Sequence, residues 1–371
     1  MTDPVPIETV NMKKLCCIVL LMVACIPVFS QTFSLMADSI RKYRGVPGLV
    51  YAVFDADKVL DMGVSGVREF RKKDSIRISD RFYTGTNTTA FTAYLAARLI
   101  ETGKQLQWNT TTLKALPEIN GKTMRLYHSV TIRQLLAQRA GIRPYTEPED
   151  QKSMSLLAGS KTEQRRAFAT LVMKGTPLLV VDSSQPVYSV AGTAIAAAMM
   201  EKITGKAWED LITQYINKPL NISIRFGLPR LSDSLQPYGH GEIAGILQPE
   251  FGHTTIAAIA PATDVNISMK DYIVFMQDML KALQHKKSVI SSASAEQLLS
   301  STPGMALGWE NETWNKLRVN HFLGKSPLFS NYTMIIKEKN IGIIVLCNSG
   351  TVSGKSAVLN FGRMLREYYC Q

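Results

Sequence analysis

The chain has 371 residues, of which 46% are hydrophobic and 19% are charged, and its formal net charge is +12. This composition excludes a disordered chain, and the length fits one large domain or two of ordinary size. No apolar run of about 18 or more residues follows the N-terminal segment, which excludes a multi-span membrane protein.

The N-terminal segment has the pattern of a secretory signal peptide. Met12-Lys13-Lys14 is a charged start, Leu15–Val28 is apolar, and Val28-Phe29-Ser30 has the small-residue spacing of a cleavage site. We therefore predict a signal peptide at 1–30, in which the first eleven residues belong to an over-long start. The mature chain is predicted to be exported to the periplasm or the extracellular space, beginning at Gln31.

The small number of cysteines agrees with export, but the position of Cys25 leaves open whether the exported protein is released or anchored by a lipid. Only Cys347 and Cys370 follow the signal, too few for a disulfide framework. Met22-Val23-Ala24-Cys25 resembles a lipoprotein cleavage site, so the alternative is a lipid anchor at Cys25. We favour free release because the residues after Cys25 remain apolar.

Apolar runs near the two ends of the chain predict the strands of a sheet, and the spacing of apolar residues in the middle predicts helices. We expect strands at 49–54, 59–67, 332–336 and 341–347 and helices at 33–45, 88–102, 131–138, 191–204, 207–216, 270–284 and 357–369. The simplest architecture is one mixed α/β domain at 31–371. Its α/β part comprises 31–85 and about 250–371, and about 86–250 forms an inserted, mainly helical part.

The densest basic stretch is Arg68-Glu69-Phe70-Arg71-Lys72-Lys73, with Arg77 just beyond. It lies between two predicted strands, has no interleaved aromatic pattern and belongs to no nucleic-acid-binding motif. We interpret it as a solvated loop and predict no nucleic-acid partner.

Segments in a characteristic order along most of the mature chain carry a family resemblance. They are Phe82–Ala93, Leu99–Lys104, Leu135–Ile142, Pro186–Ser189, Glu201–Lys206, Lys218–Leu220, Ala260–Ala262, Ser268–Tyr272, Leu307–Trp309 and Val345–Asn348. In this order and spacing the chain resembles the serine β-lactamase and penicillin-binding-protein superfamily, most closely class C β-lactamases and their D,D-peptidase and esterase relatives. The resemblance implies an antiparallel sheet flanked by helices, with a cleft between the sheet and the helical part.

The resemblance also implies a Ser-x-x-Lys motif at the start of the helix at 88–102. The matching positions hold Thr86 and Thr89. A threonine hydroxyl is a crowded nucleophile, and Thr89 has neither the charge nor the reach of a lysine that would help to ionise it. The structural alternative for Thr86 is a helix N-cap.

A Tyr-x-Asn motif is implied before the helix at 191–204. Tyr188 is present, but the asparagine position holds Val190, whose side chain forms no hydrogen bond. The structural alternative for Tyr188 is a packing wedge at the start of that helix.

The third implied motif, Lys/His-Thr/Ser-Gly, falls on Asn320-His321-Phe322-Leu323-Gly324. If His321 takes the first place, Phe322 and Leu323 take the hydroxyl and glycine places. If Gly324 takes the glycine place, Phe322 and Leu323 precede it. Either register puts bulky apolar groups where the family recognises substrate.

All three implied motifs are therefore altered, and we identify no confident catalytic residue. Loss of one member of such a unit costs on the order of 10⁶ in rate, and a residual oxyanion hole leaves about 10³–10⁴ over water. The degenerate positions are Thr86, Thr89, Tyr188, Val190 and His321, and the candidate binding cleft comprises Thr86, Tyr188, Val190, Phe322, Leu323 and Gly324.

We thus predict an exported, inactive serine-hydrolase-like protein with a binding or scaffolding role in the cell envelope. Its partner would be a cell-wall peptide or a small apolar ligand. We predict no cofactor, and no metal because the five histidines lack ligand spacing. Two alternatives remain: a weak or atypical esterase, peptidase or β-lactamase-like hydrolase that uses Thr86, and a relic without a ligand.

Overall fold

The computed structural model describes residues 28–103, 105–178, 186–250, 255–300 and 304–371. Most of the predicted signal segment, including Cys25, lies outside the described residues. Within them, no helix is both long enough and apolar enough to cross a membrane.

Twelve strands are described. Their bounds are β1 Gly48–Phe54, β2 Val59–Gly66, β3 Arg81–Tyr83, β4 Arg225–Phe226, β5 His240–Ile243, β6 Ile246–Pro249, β7 Val265–Ser268, β8 Gly304–Met305, β9 Glu310–Trp314, β10 Leu317–Lys325, β11 Ser330–Ile336 and β12 Ile341–Cys347.

Seven strands form the main antiparallel sheet, in the order β2-β1-β12-β11-β10-β9-β8. Strands from the two ends of the chain lie side by side in this sheet, where Leu49 of β1 pairs with Cys347 of β12. Every residue of β1, β11 and β12 is buried, because helices cover both faces of the sheet. The predicted sheet built from both chain ends is confirmed.

The helices flank this sheet, and most of them belong to the part of the chain between its N-terminal and C-terminal strands. Their bounds are α1 Val28–Arg44, α2 Thr88–Thr102, α3 Thr112–Ala115, α4 Arg125–His128, α5 Ile132–Leu136, α6 Pro148–Ser155, α7 Lys161–Lys174, α8 Val190–Thr204, α9 Trp208–Ile212, α10 Lys218–Leu220, α11 Pro229–Ser232, α12 Ala260–Thr263, α13 Met269–Leu283, α14 Ser292–Leu299 and α15 Val352–Tyr369. Helices α1 and α15 cover one face of the sheet, whereas α13 and the helical region cover the other.

Two helices begin well before their predicted starts. Helix α15 begins at Val352 rather than 357, because the Thr351 side chain accepts a hydrogen bond from the Gly354 N–H and caps the helix early. Helix α1 begins at Val28 rather than 33. Helix α2 has the predicted bounds.

Candidate functional site

Thr86 lies in a tight turn, Gly85–Asn87, immediately before α2. Gly85 has a φ of +54°, and a Cβ there would lie 2.3 Å from the Lys325 carbonyl oxygen, so only glycine allows the turn to approach β10 this closely. The N-cap of α2 is Asn87 rather than Thr86, which makes the capping alternative wrong. The Thr86 hydroxyl instead accepts a hydrogen bond from the Lys325 backbone N–H at 3.0 Å.

The end of β10 is pressed against the same turn at Gly324. A Cβ on Gly324 would lie 2.4 Å from the Asn331 side-chain amide and 2.6 Å from the Thr84 carbonyl oxygen. This close approach sets the Lys325 N–H beside Thr86. It favours the register in which Gly324 takes the glycine place of the third motif and Phe322 takes the lysine place.

Thr89 does not assist Thr86. Its buried hydroxyl donates to the Thr86 carbonyl oxygen at 3.1 Å and lies 3.5 Å from the Gly308 carbonyl oxygen. In the described part of the chain, neither a lysine amine nor a carboxylate is hydrogen bonded to the Thr86 hydroxyl. Among the described residues, the arrangement therefore contains a hydroxyl and a backbone donor but no side-chain base hydrogen bonded to that hydroxyl.

Tyr188 closes the other side of the cleft. Its ring centroid lies 6.1 Å from that of Phe322. Burial raises the pKa of the Tyr188 phenol above its ordinary value. The nearby Thr86 hydroxyl lowers this pKa, whereas the charge of Glu310 raises it further. The two hydroxyls nevertheless do not meet the geometry of a hydrogen bond, and the Tyr188 hydroxyl has no partner among the described residues.

Val190 and Gln138 lie behind Tyr188. Val190 is buried as the first residue of α8, which Ser189 caps through the Ala191 N–H. The Gln138 side-chain oxygen accepts a hydrogen bond from the Ser189 N–H at 2.8 Å. Its side-chain nitrogen is buried and has no partner in the ranges that the structure covers. Near Tyr188, the chain thus places the apolar side chain of Val190 and the Gln138 amide nitrogen, which has no partner among the described residues.

His321 and Leu323 are not brought to the cleft. Side chains alternate along a strand, so these two residues face α1 and α15 while Phe322 faces Tyr188. The His321 ring lies 5.7 Å from the Tyr332 ring, and burial lowers the pKa of this histidine. This placement corrects our prediction for both residues: Thr86, Tyr188, Phe322 and Gly324 lie close together, whereas His321 and Leu323 lie behind the sheet.

A cavity of about 180 Å³ opens beside Gly85 and the Lys325–Leu328 segment. Its lining is mainly apolar and includes Leu228, Ile259 and Leu328. Tyr83 also lines the cavity, and its hydroxyl donates to the buried Asp264 carboxylate at 3.2 Å. Burial raises the pKa of Asp264 to about 7. No group of three or more potential metal-ligating side chains occurs in the described ranges.

Comparison with known proteins identifies the family of this chain. The family model "Beta-lactamase" matches residues 36–362. The chain belongs to the β-lactamase family. It is 23% identical over 313 residues to "Protein flp" of Staphylococcus aureus strain MW2, an alignment that covers 82% of this chain and 60% of that protein. The chain thus spans about 60% of the length of these staphylococcal relatives.

Two further comparisons agree with this assignment. The chain is 21% identical over 340 residues to "Beta-lactamase" of Escherichia coli strain K12, covering 82% of this chain and 84% of that enzyme. A class C β-lactamase structure from Rhodobacter sphaeroides superposes with a TM-score of 0.71 at 15% identity, covering 91% of this chain and 99% of the other. The predicted class C-like fold is confirmed, and the chain is a serine-hydrolase-like member of this family.

Sequence reasoning missed three features of the site. Gln138 lies inside the segment Leu135–Ile142, which we used only as a family marker, so its position was the available signal. Lys325 contributes through its backbone, which a residue pattern does not reveal. Asp264 acquires its raised pKa from burial, and only the fold determines burial.

Proposed function

We propose that this β-lactamase-family protein is exported and catalytically inactive, and that its cleft binds a cell-wall peptide or a small apolar ligand at the cell envelope. The observation that carries the inactivity is the environment of Thr86. Its hydroxyl receives a backbone N–H, while the Thr89 hydroxyl is engaged with the carbonyl oxygens of Thr86 and Gly308. A threonine hydroxyl with an ordinary high pKa and no base is not a nucleophile at pH 7.

The composition of the cleft supports a binding role. Phe322 and Val190 replace groups that would hold a polar substrate, and the adjacent cavity has a mainly apolar lining. The Tyr188 hydroxyl and the Gln138 amide nitrogen are buried without partners among the residues described. Because an unsatisfied buried polar group costs about 1–3 kcal/mol, a ligand whose entry opens the cleft and pairs with these groups gains affinity. An apolar body with a few polar groups fits this combination.

Acylation tests the inactive state directly. We expect the intact mass of the wild-type protein to stay unchanged after incubation with benzylpenicillin or p-nitrophenyl acetate. The variant Thr86→Ser, Thr89→Lys, Val190→Asn restores nucleophile, base and amide, and we expect it to gain the mass of a penicillin adduct. Its matched control, Thr86→Ala, Thr89→Lys, Val190→Asn, lacks only the nucleophile and is expected to remain unmodified. Covalent labelling of wild type at Thr86 would contradict the proposal and establish the hydrolase alternative.

Binding is tested separately, by calorimetry with soluble peptides released from peptidoglycan and with a short alkyl carboxylic acid. We expect one of the two probes to bind, and Tyr188→Phe to weaken a bound peptide about tenfold because it removes the unpaired hydroxyl. Tyr43→Phe, which removes a hydroxyl from an exposed ring, is the control and should change nothing. Absence of binding by both probes would favour the relic alternative.

The exported location has its own test. N-terminal sequencing should find Gln31 as the first residue of protein recovered from the periplasm or medium. A lipid on Cys25 would support the anchored variant, and an intact Met1 in the cytoplasm would contradict export.

A further inference from the structure

The basic loop, residues 68–77, projects from a firmly held base. At the base, Arg68 forms a salt bridge with Asp80 at 2.5 Å, and the Phe70 N–H donates to the His240 imidazole at 2.9 Å. Beyond it, four exposed cations follow: Arg71, Lys72, Lys73 and Arg77. None of the four forms a salt bridge with any residue that the structure describes. The loop also contains Glu69 and Asp74, but its cations outnumber them, so it presents a net positive charge from a fixed position.

A second segment, residues 229–238, packs directly beside the basic loop. Its Tyr238 N–H donates to the Arg68 carbonyl oxygen at 3.0 Å, and the Arg230 guanidinium lies 3.7 Å from the centre of the Tyr238 ring. We call this segment the leucine turn, because it exposes Leu231 and Leu235, whose side chains are 64% and 72% accessible to solvent. Two strongly exposed apolar side chains thus lie in a segment that contains the cation Arg230 and joins the basic loop, with one carboxylate, Asp233, between them.

We propose that the basic loop and the leucine turn together dock the protein on an anionic lipid bilayer. Leucine side chains on a surface turn can enter the region of the headgroups, while lysine and arginine side chains bind the anionic headgroups around them. A polyanion without an apolar phase would explain the four cations but not the two exposed leucines. The exported location in the proposed function brings the protein to a membrane, but the docking surface does not depend on what the cleft binds.

The docking surface is connected through His240 to the cavity beside Gly85. The His240 side chain accepts from Phe70 in the basic loop, and its backbone N–H donates to the Leu328 carbonyl oxygen at 3.0 Å. Leu328 lines the cavity beside Gly85. Docking on a bilayer would therefore hold this cavity close to the membrane surface.

Co-sedimentation with vesicles tests the proposal, with protein beginning at Gln31 so that the apolar signal segment does not contribute. We expect binding to vesicles of phosphatidylcholine mixed with phosphatidylglycerol, little binding to phosphatidylcholine alone, and weaker binding as salt increases. Lys72→Gln with Lys73→Gln should reduce the affinity by about 30-fold, because each basic residue near an anionic surface contributes about fivefold to the affinity. Leu231→Ser with Leu235→Ser should also reduce it, by at least about tenfold.

Matched controls come from another part of the surface. Lys114→Gln with Lys122→Gln removes two exposed lysines, and Leu126→Ser with Leu156→Ser removes two leucines that are 66% and 76% exposed. Both controls should bind as wild type does. Equal losses in test and control variants, unchanged binding in the leucine variant, or no dependence on phosphatidylglycerol would overturn the proposal. Self-association of the protein that Leu231→Ser abolishes would also overturn it, because a second copy would then cover the leucine turn.

Discussion

Two regions of the cleft are built in opposite ways. Beneath it lies a supporting layer of buried polar side chains that bond to one another and to the backbone: Asn87, His240, Asp264 and Asn331. Asn87 donates to the hydroxyl of Tyr272 at 2.7 Å and to the side-chain oxygen of Asn331 at 2.9 Å, and Asn331 donates to the Thr84 carbonyl oxygen at 2.8 Å.

The positions that face the cleft show the contrary pattern. Val190 and Phe322 are apolar, and the Tyr188 hydroxyl is unpaired among the described residues. Among the described residues, the hydrogen bond found across the cleft is the one that the Thr86 hydroxyl accepts from the Lys325 backbone N–H. Stability therefore depends on the supporting layer, whereas chemistry in a serine-hydrolase family depends on the cleft-facing positions. Cleft-facing residues can be replaced without loss of the fold, because the fold does not require a nucleophile.

The largest expected effect concerns the charge of Asp264. Its folded pKa of about 7 lies above the ordinary 3.8, so its contribution to the free energy of unfolding is fully present below pH 3.8 and is lost as pH rises through 7. The shift of about three pH units corresponds to roughly 4 kcal/mol. Relative to wild type, Asp264→Asn should gain stability over this window in urea denaturation at a series of pH values. Asp210→Asn, at an exposed site, is the control.

His240 should show the opposite dependence on pH. Its Nε2 accepts from the Phe70 N–H and its Nδ1 donates to the Asn348 carbonyl oxygen, so protonation would remove the acceptor. Burial lowers its pKa to about 4, and its contribution to stability is present above about pH 6.5 and is lost as pH falls through 4. The magnitude is about 3 kcal/mol.

The two residues can be separated because their dependences oppose each other between about pH 4 and 6.5. In Asp264→Asn, the free energy of unfolding should rise with pH through this window, and in His240→Gln it should fall. His285→Gln, at an exposed histidine, should leave the wild-type profile unchanged. If the free energy of unfolding changed with pH in the same direction in both variants, Asp264 or His240 would not titrate as assigned.

Asn331→Ala should destabilise the protein by about 2 kcal/mol, because it leaves the Thr84 carbonyl oxygen and the Asn87 amide with fewer partners in a buried layer. Chemical denaturation measures this loss. Asn109→Ala, at an exposed position, should have almost no effect. Equal stability of the two variants would break the contrast between the supporting layer and the surface.

The smallest effect is expected at the cleft itself. Thr86→Ser keeps the hydroxyl that accepts from Lys325 and removes one methyl group, so the free energy of unfolding should change by less than about 1 kcal/mol. This variant should also remain unmodified by benzylpenicillin, since it gains no base. A penicillin adduct on Thr86→Ser would show that the cleft supplies a base. The cleft-facing positions would then retain a reaction centre, contrary to the contrast drawn with the supporting layer.

Local pattern and motif order were sufficient to predict the architecture. The apolar runs at 341–347 and 49–54 predicted strands, the period of apolar residues predicted the helix at 88–102, and the ordered motifs predicted the family. These signals are local or depend on order along the chain, so a single sequence contains them. The replacement of the expected serine, lysine and asparagine by Thr86, Thr89 and Val190 was equally visible.

Only the tertiary structure decided what surrounds these residues. It turned His321 and Leu323 behind the sheet, because the register of β10 against β11 determines which alternate side chains face the cleft. It brought the Lys325 N–H to Thr86 across more than two hundred residues and buried Asp264 against Tyr83. Partners, burial and pKa arise from contacts between distant segments, and no local pattern encodes them.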